Sequence, residues 1–172
     1  MPVTASTRLS AESAVLDIGQ MQPDEASIVA DLFQTIVSVL PYYNDCAKES
    51  ELKQYSADRL RESVDRDSDA VLVARTNGAI VGFCISRLDD GLVWLSWFGV
   101  HPTQRGKGVG SALLDGLEAS VANGRSHKIW CDCRTDNELS IRMLTRHRYS
   151  RLCEVANHWY GQDFILWEKL VK

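Results

Sequence analysis

The chain has 172 residues, 45% hydrophobic and 24% charged, enough to bury the core of one domain. Its formal net charge of −4 argues against nucleic-acid and anionic-membrane binders, which present a basic face. The five cysteines are odd in number and form no C-x-x-C pair, which fits reduced thiols in a cytoplasmic protein, and no apolar run reaches the roughly 18 residues of a membrane span. Residues 1–13 read as a flexible N-terminus and 14–172 as a single domain.

In chain order, "AVLDI" (14–18) is a short strand, and Pro23-Asp24-Glu25 opens a helix with acids in its first turn. Ile28, Val29, Leu32, Phe33, Ile36, Val37 and Leu40 mark that helix's apolar stripe, which Pro41 stops. A second helix, from about Ser50 to Arg66, carries a thinner stripe of Leu52, Tyr55, Leu60 and Val64. Two apolar runs then flank Asn77-Gly78, and Asp89-Asp90-Gly91 leads into "LVWLSWFGV", which predicts an antiparallel meander. Strand alternation puts Trp94 and Trp97 on opposite faces, one toward the core and the other toward a cleft.

From Gly108 the period is helical, with Val109, Ala112, Leu113, Leu117 and Val121 on one side, Asp115 and Glu118 turned away, and Asn123-Gly124 as the stop. "HKIWCDC" (127–133) follows as a strand, so this crossover predicts two parallel strands. Cys131 and Cys133 share one face with no second ligand pair, and read as buried structural thiols rather than metal ligands. A short helix from Leu139 to His147 precedes two last strands near 150–156 and 164–170. The fold class is α/β with a mixed sheet, in the order β-α-α-β-β-β-α-β-α-β-β.

Gly106, Gly108 and Gly110 alternate between a strand and a helix start, where free amides and the helix dipole attract anions. Arg105 and Lys107 add charge and Ser111 a hydroxyl. A P-loop fails here because His101 stands in place of its first glycine and Gly108 in place of its Ser/Thr, and Ser111 breaks a dinucleotide fingerprint. Arg105 to Gly110 does fit R-x-x-G-x-G. With "FGVHP" before it, "SALL" after it and "TDNELSIRMLTRHRY" further on, the segment resembles the acyl-CoA pyrophosphate loop of the GNAT superfamily of N-acetyltransferases. The resemblance covers residues 14–170 and is most specific over 93–114.

The resemblance implies acetyl transfer from acetyl-CoA to a primary amine by direct attack in a ternary complex, with a small-molecule or peptide acceptor and no metal. It implies that the strand before the loop splays from its neighbour, so that Phe98, Gly99 and Val100 meet the pantetheine arm. The amides of Arg105, Gly106, Lys107, Gly108, Val109 and Gly110, with Ser111, would hold the pyrophosphate, and an oxyanion donor would lie near Val100. Asn137 either lies along the cofactor or caps a helix. A homodimer is compatible with the resemblance.

Two positions depart from the family's pattern: Leu144 stands where many relatives have a proton-donating tyrosine, and Ser96 where many have a glutamate base. Tyr160, between the final strands, is read as a replacement acid or an acceptor-positioning group, or else as a packed loop aromatic, with His158 as the alternative. Asp163 contacts the acceptor or caps a turn. Tyr42, Tyr43, Asp45 and Glu49 either offer an aromatic wall and counter-charges to a cationic amine, which Trp97 can join, or else the tyrosines close the core and the acids are solvated. An acyl-CoA-binding regulatory module without turnover is the other reading.

Overall fold

The computed structural model describes residues 15–171; the flexible segment expected at 1–13 lies outside them. Seven strands form one mixed sheet in the order β1-β2-β3-β4-β5-β7-β6, which agrees with the α/β class read from the sequence. β1 is Leu16–Gln20, β2 Val71–Thr76, β3 Ala79–Asp89, β4 Leu92–Val100, β5 Lys128–Arg134, β6 Ser150–Val155 and β7 Phe164–Leu170. The two hairpin turns take the tight form that suits twisted strands. Asn77 and Gly78 lie at φ 51° and 80°, and Asp90 and Gly91 at 45° and 82°.

α1 (Ala26–Val37) buries Ala26, Val29, Leu32, Phe33, Ile36 and Val37, while Ile28, expected in the stripe, is 53% exposed. Sequence reading also joined what the chain keeps apart. The expected helix from Ser50 to Arg66 is two, α2 (Asp45–Gln54) and α3 (Ala57–Arg66), so the element order gains a helix. Asn44 starts α2 early by accepting the Ala47 amide at 2.8 Å, a standard N-cap. Ser56 then turns extended at φ −64°, ψ 160°, which lets Tyr55 pack on Phe33 with ring centroids 5.0 Å apart.

α4 (Val109–Ser120) crosses from β4 to β5, and those two strands pair in parallel as expected. Its Leu113, Leu114 and Leu117 are fully buried. Glu118, expected to face solvent, lies half-buried and pairs with Lys169 at 2.6 Å. The helix ends through a widened turn closed by Gly124 at φ 98°. α5 (Glu138–Arg146) adds Leu144 to the same apolar layer, which also takes in Cys131 and Cys133. α1 and α3 cover the opposite face with a second layer around Phe33, Phe83 and Ile85. No described helix is long and apolar enough to cross a membrane.

Candidate functional site

β4 and β5 pair only through Val93–Leu95 and Ile129–Cys131, so beyond those residues the sheet opens. Past Cys131, β5 pairs with β7 alone; past Leu95, β4 keeps only β3. The divergence begins at a bulge. Ile85 pairs with Trp97 and Ser86 with Leu95, which leaves Ser96 as an extra residue that bends the strand. His101 donates its amide to the Val81 carbonyl at 2.9 Å. By alternation, the N–H and C=O groups of Val100 and Phe98 therefore point into the gap.

Gly99, between them, turns its backbone to β3 and pairs with Phe83. A Cβ there would lie 2.6 Å from the Phe83 ring and 2.8 Å from Ile36 Cδ1, so close packing requires this glycine. The bulge also overturns the expected placing of the two tryptophans. Trp94 pairs with Arg87 and Trp97 with Ile85, and residues two apart on β3 share a face. Both indoles therefore lie on the α1–α3 side, where Trp97 packs edge-on to Phe33 at 5.1 Å and Trp94 lies under the Arg87 guanidinium at 5.3 Å.

At the open end of the gap the chain makes a short turn at Pro102–Gln104 and reaches α4 through Gly106 and Gly108, at φ 75° and 83°. Among the described residues, the amides from Gly106 to Ser111 donate to no acceptor, and α4 starts without a side-chain cap. Such a row of free N–H groups at a helix N-terminus is an anion cradle. Val109 contributes only its amide, because its side chain is buried in the core. Arg105 Nε donates to the Val100 carbonyl at 3.3 Å, and Lys107 Nζ to Gln104 Oε1 at 3.0 Å. Both cations remain exposed beside the loop.

Ser111 Oγ rests 3.6 Å from Met143 Sδ. Asn137 caps α5 by accepting the Ser140 amide at 3.1 Å and donates to Ser140 Oγ at 2.9 Å. Free amides, positive-φ glycines and an open strand edge together suit a long ligand with a pyrophosphate, as acetyl-CoA is.

On the α2 side of the gap lies a cluster of acids and aromatic rings. Glu51 accepts the Trp97 indole N–H at 2.9 Å and the Tyr160 hydroxyl at 3.3 Å. Burial holds its carboxyl above the usual range against those two hydrogen bonds, and Asp132 adds to the rise. Asp132 is raised chiefly by burial too, although it accepts the Trp159 indole N–H at 2.8 Å. Tyr43 stacks on Trp97 at 5.5 Å and on Tyr42 at 5.7 Å, and burial pushes its phenol well up. Tyr160 reaches Glu51 from a left-handed position at φ 56°, with its carbonyl held by Asn44 Nδ2 at 3.2 Å. Arg134 is buried over the Phe164 ring at 5.6 Å and pairs through Nη2 with Asp136 at 3.3 Å, while its Nε and Nη1 lack partners among the described residues.

Of the residues singled out from the sequence, Tyr43, Trp97 and Tyr160 come together here, with Tyr42 beside them. Ser96 accepts from Arg87 Nη1 at 3.3 Å. Asp163 is exposed and accepts the Asn157 amide at 2.9 Å, which braces the turn. Asp45 and Glu49 are exposed on α2, His158 stacks on Trp159 at 4.4 Å, and Leu144 is core. Sequence reading missed Glu51, Asp132 and Arg134. Asp132 and Arg134 do stand out as ionisable residues in an apolar strand. Glu51 falls four residues after buried Ala47, on the inward stripe, once α2 is known to begin at Asp45.

The profile of the Acetyltransferase (GNAT) family matches residues 36–149, a span that includes both gap and loop. Acetyltransferase ECA0875 of Pectobacterium atrosepticum is 33% identical over 90 residues, 52% of this chain and 64% of that protein. The match thus covers less than two thirds of that relative's length. The crystal structure of the acetyltransferase of GNAT family from Streptococcus pneumoniae aligns with a TM-score of 0.78 at 17% identity, over 92% of this chain and 100% of the other. That of PaiA N-acetyltransferase from Thermoplasma acidophilum, in complex with coenzyme A, gives 0.74 at 16% identity, over 91% and 99%. At these identities the likeness carries the fold.

Proposed function

We propose that this chain, which belongs to the Acetyltransferase (GNAT) family, transfers an acetyl group from acetyl-CoA to a primary amine within a ternary complex. One observation carries the reading: the strand whose bulge opens the sheet runs from the Glu51 cluster at Trp97 to the free amides of Gly106 to Ser111. The co-substrate supplies an activated acyl carbon and a thiolate leaving group. The amides of Gly106 to Ser111, with Arg105 and Lys107 beside them, hold its pyrophosphate. The backbone groups of Phe98 and Val100 pair with its pantetheine arm, and the Val100 amide faces the charge that develops on the acyl oxygen.

An alkylamine with pKa near 10.4 arrives protonated and must lose a proton to attack. Glu51 takes that proton, because burial has raised its carboxyl toward the working pH of a base. Tyr160, whose hydroxyl donates to Glu51, protonates the departing sulfur and recovers its proton from Glu51; the freed carboxylate then takes the second proton, from the nitrogen of the tetrahedral adduct, and releases it to solvent, so the proton count closes. Asp132 supplies a second negative group that attracts the ammonium form. Ser96 is occupied with Arg87 and holds the acceptor side of the bulge, while Tyr42, Tyr43 and Trp97 wall the amine.

The test is release of free CoA thiol, which must require both the protein and an added amine. Buried Leu144, which leaves no acid at its position, favours a second reading as a regulatory module that binds acetyl-CoA. That reading predicts binding of acetyl-CoA with no thiol released by any amine.

A further inference from the structure

Beside the acid cluster, between α2–α3 and the strands β3 and β4, lies a cavity of about 1040 Å³. Ser50 and Ser96 line one end, the first next to Glu51 in sequence and the second next to Trp97. Its other end is closed by Gly124 and Arg125, and Tyr55, Leu60 and Ile85 form an apolar floor. The charge of the walls is opposite to that of the molecule. Lys53, Arg59, Arg66, Arg87 and Arg125 face one acid, Asp67, on a chain whose formal net charge is −4.

Asp67 is already taken by Arg125 at 2.5 Å. Arg59 has only an exposed partner on its own helix, Glu62 at 3.0 Å, and Lys53 has no ion pair among the described residues. Arg87 lies close enough to the acid cluster for its charge to lower, as a minor contribution, the proton affinity of Asp132. Arg87 likewise has only an exposed partner, Asp89 at 3.5 Å, so five cations against one lining acid around a partly apolar cavity favour an oxyanion, for which guanidinium forks are the matching donors.

We infer that this cavity binds an oxyanion carried by the acceptor, a carboxylate or a phosphate, held by Arg87 from the sheet and by Lys53 and Arg59 from the helices while the acceptor's amine lies at Glu51. The inference rests on the transferase reading for its meaning and makes the acceptor an amine that also bears an acidic group. Both ends of such a molecule then meet complementary charge, its amine at Glu51 and Asp132 and its anion at the cationic wall.

The experiment measures binding without turnover, by titration calorimetry on protein saturated with CoA. One arm uses amino carboxylates from glycine to 6-aminohexanoate, each against its carboxamide. The other uses phosphoethanolamine and glucosamine 6-phosphate, each against its unphosphorylated form. At least one acid should bind about tenfold or more tighter than its neutral partner, as a charge-assisted pair provides; the arm in which this occurs identifies the anion. That preference should vanish in Lys53→Glu/Arg59→Glu and weaken in Arg87→Gln, with CoA affinity unchanged in both. Equal binding of every matched pair overturns the inference, as does a preference that survives both variants. Absence of amine-dependent thiol release would instead defeat the transferase reading, and is scored separately.

Discussion

Replacing Glu51 by Gln keeps the side chain's size and an oxygen for the Trp97 indole and removes only the charge and the basic site. General-base catalysis contributes about 10²- to 10⁴-fold, so kcat should fall by that factor, about 3–5 kcal/mol of barrier at 1.36 kcal/mol per decade. Affinity for acetyl-CoA should not change, since Glu51 lies on α2 and the cofactor loop precedes α4. In the wild type, activity should rise with pH as the carboxyl ionises, along a limb displaced above the ordinary carboxylate range because burial raises Glu51. The variant should lack that limb.

Stability follows with the opposite sign to the usual carboxylate. A folded-state pKa raised above the unfolded value contributes stability that is present below the unfolded pKa and lost as pH rises through the folded one. Glu51→Gln should therefore gain in melting temperature over the wild type at pH 8 and show less of that gain at pH 4. Thiol release read across pH, with melting curves in the same buffers, tests both. A variant within threefold of wild-type kcat (about 0.6 kcal/mol) that retains the acid limb refutes the assignment of the base.

The neighbours of Glu51 should move that limb in opposite directions. Asp132→Asn removes a charge that raises the Glu51 carboxyl, so the limb shifts to lower pH, whereas Tyr160→Phe both lowers kcat, by removing the acid that protonates the sulfur, and removes a hydrogen bond that lowers Glu51, so the limb of the residual activity shifts up; initial rates against pH read both. Gly108→Glu should abolish acetyl-CoA binding by calorimetry. Its Cβ meets nothing within 4 Å, so the fold survives a left-handed penalty of about 1–2 kcal/mol. Gly99→Ala should destabilise by about 1–3 kcal/mol in denaturant titration through overpacking on Phe83 and Ile36.

What the sequence disclosed is what local chemistry determines. Asn77-Gly78 and Asp90-Gly91 select their turn by tolerating positive φ, and a glycine loop before a helical stripe marks a crossover with free amides at its end. The bulge at Ser96 was not legible: one extra residue reverses the facing of everything beyond it, and no residue type there announces it. The break at Ser56 was hidden because Leu52, Tyr55, Leu60 and Val64 read as one stripe. Glu51 and Asp132 lie on different elements, 81 positions apart in the chain, and only the tertiary fold places one where it raises the other.

The most direct test of the account is calorimetric titration of acetyl-CoA against acetyl-pantetheine, which lacks the pyrophosphate and nucleotide. The account predicts tight binding of acetyl-CoA that is lost with the truncated thioester, because the free amides of Gly106 to Ser111 then have nothing to hold. Equal affinity for the two, or binding of neither, would contradict it.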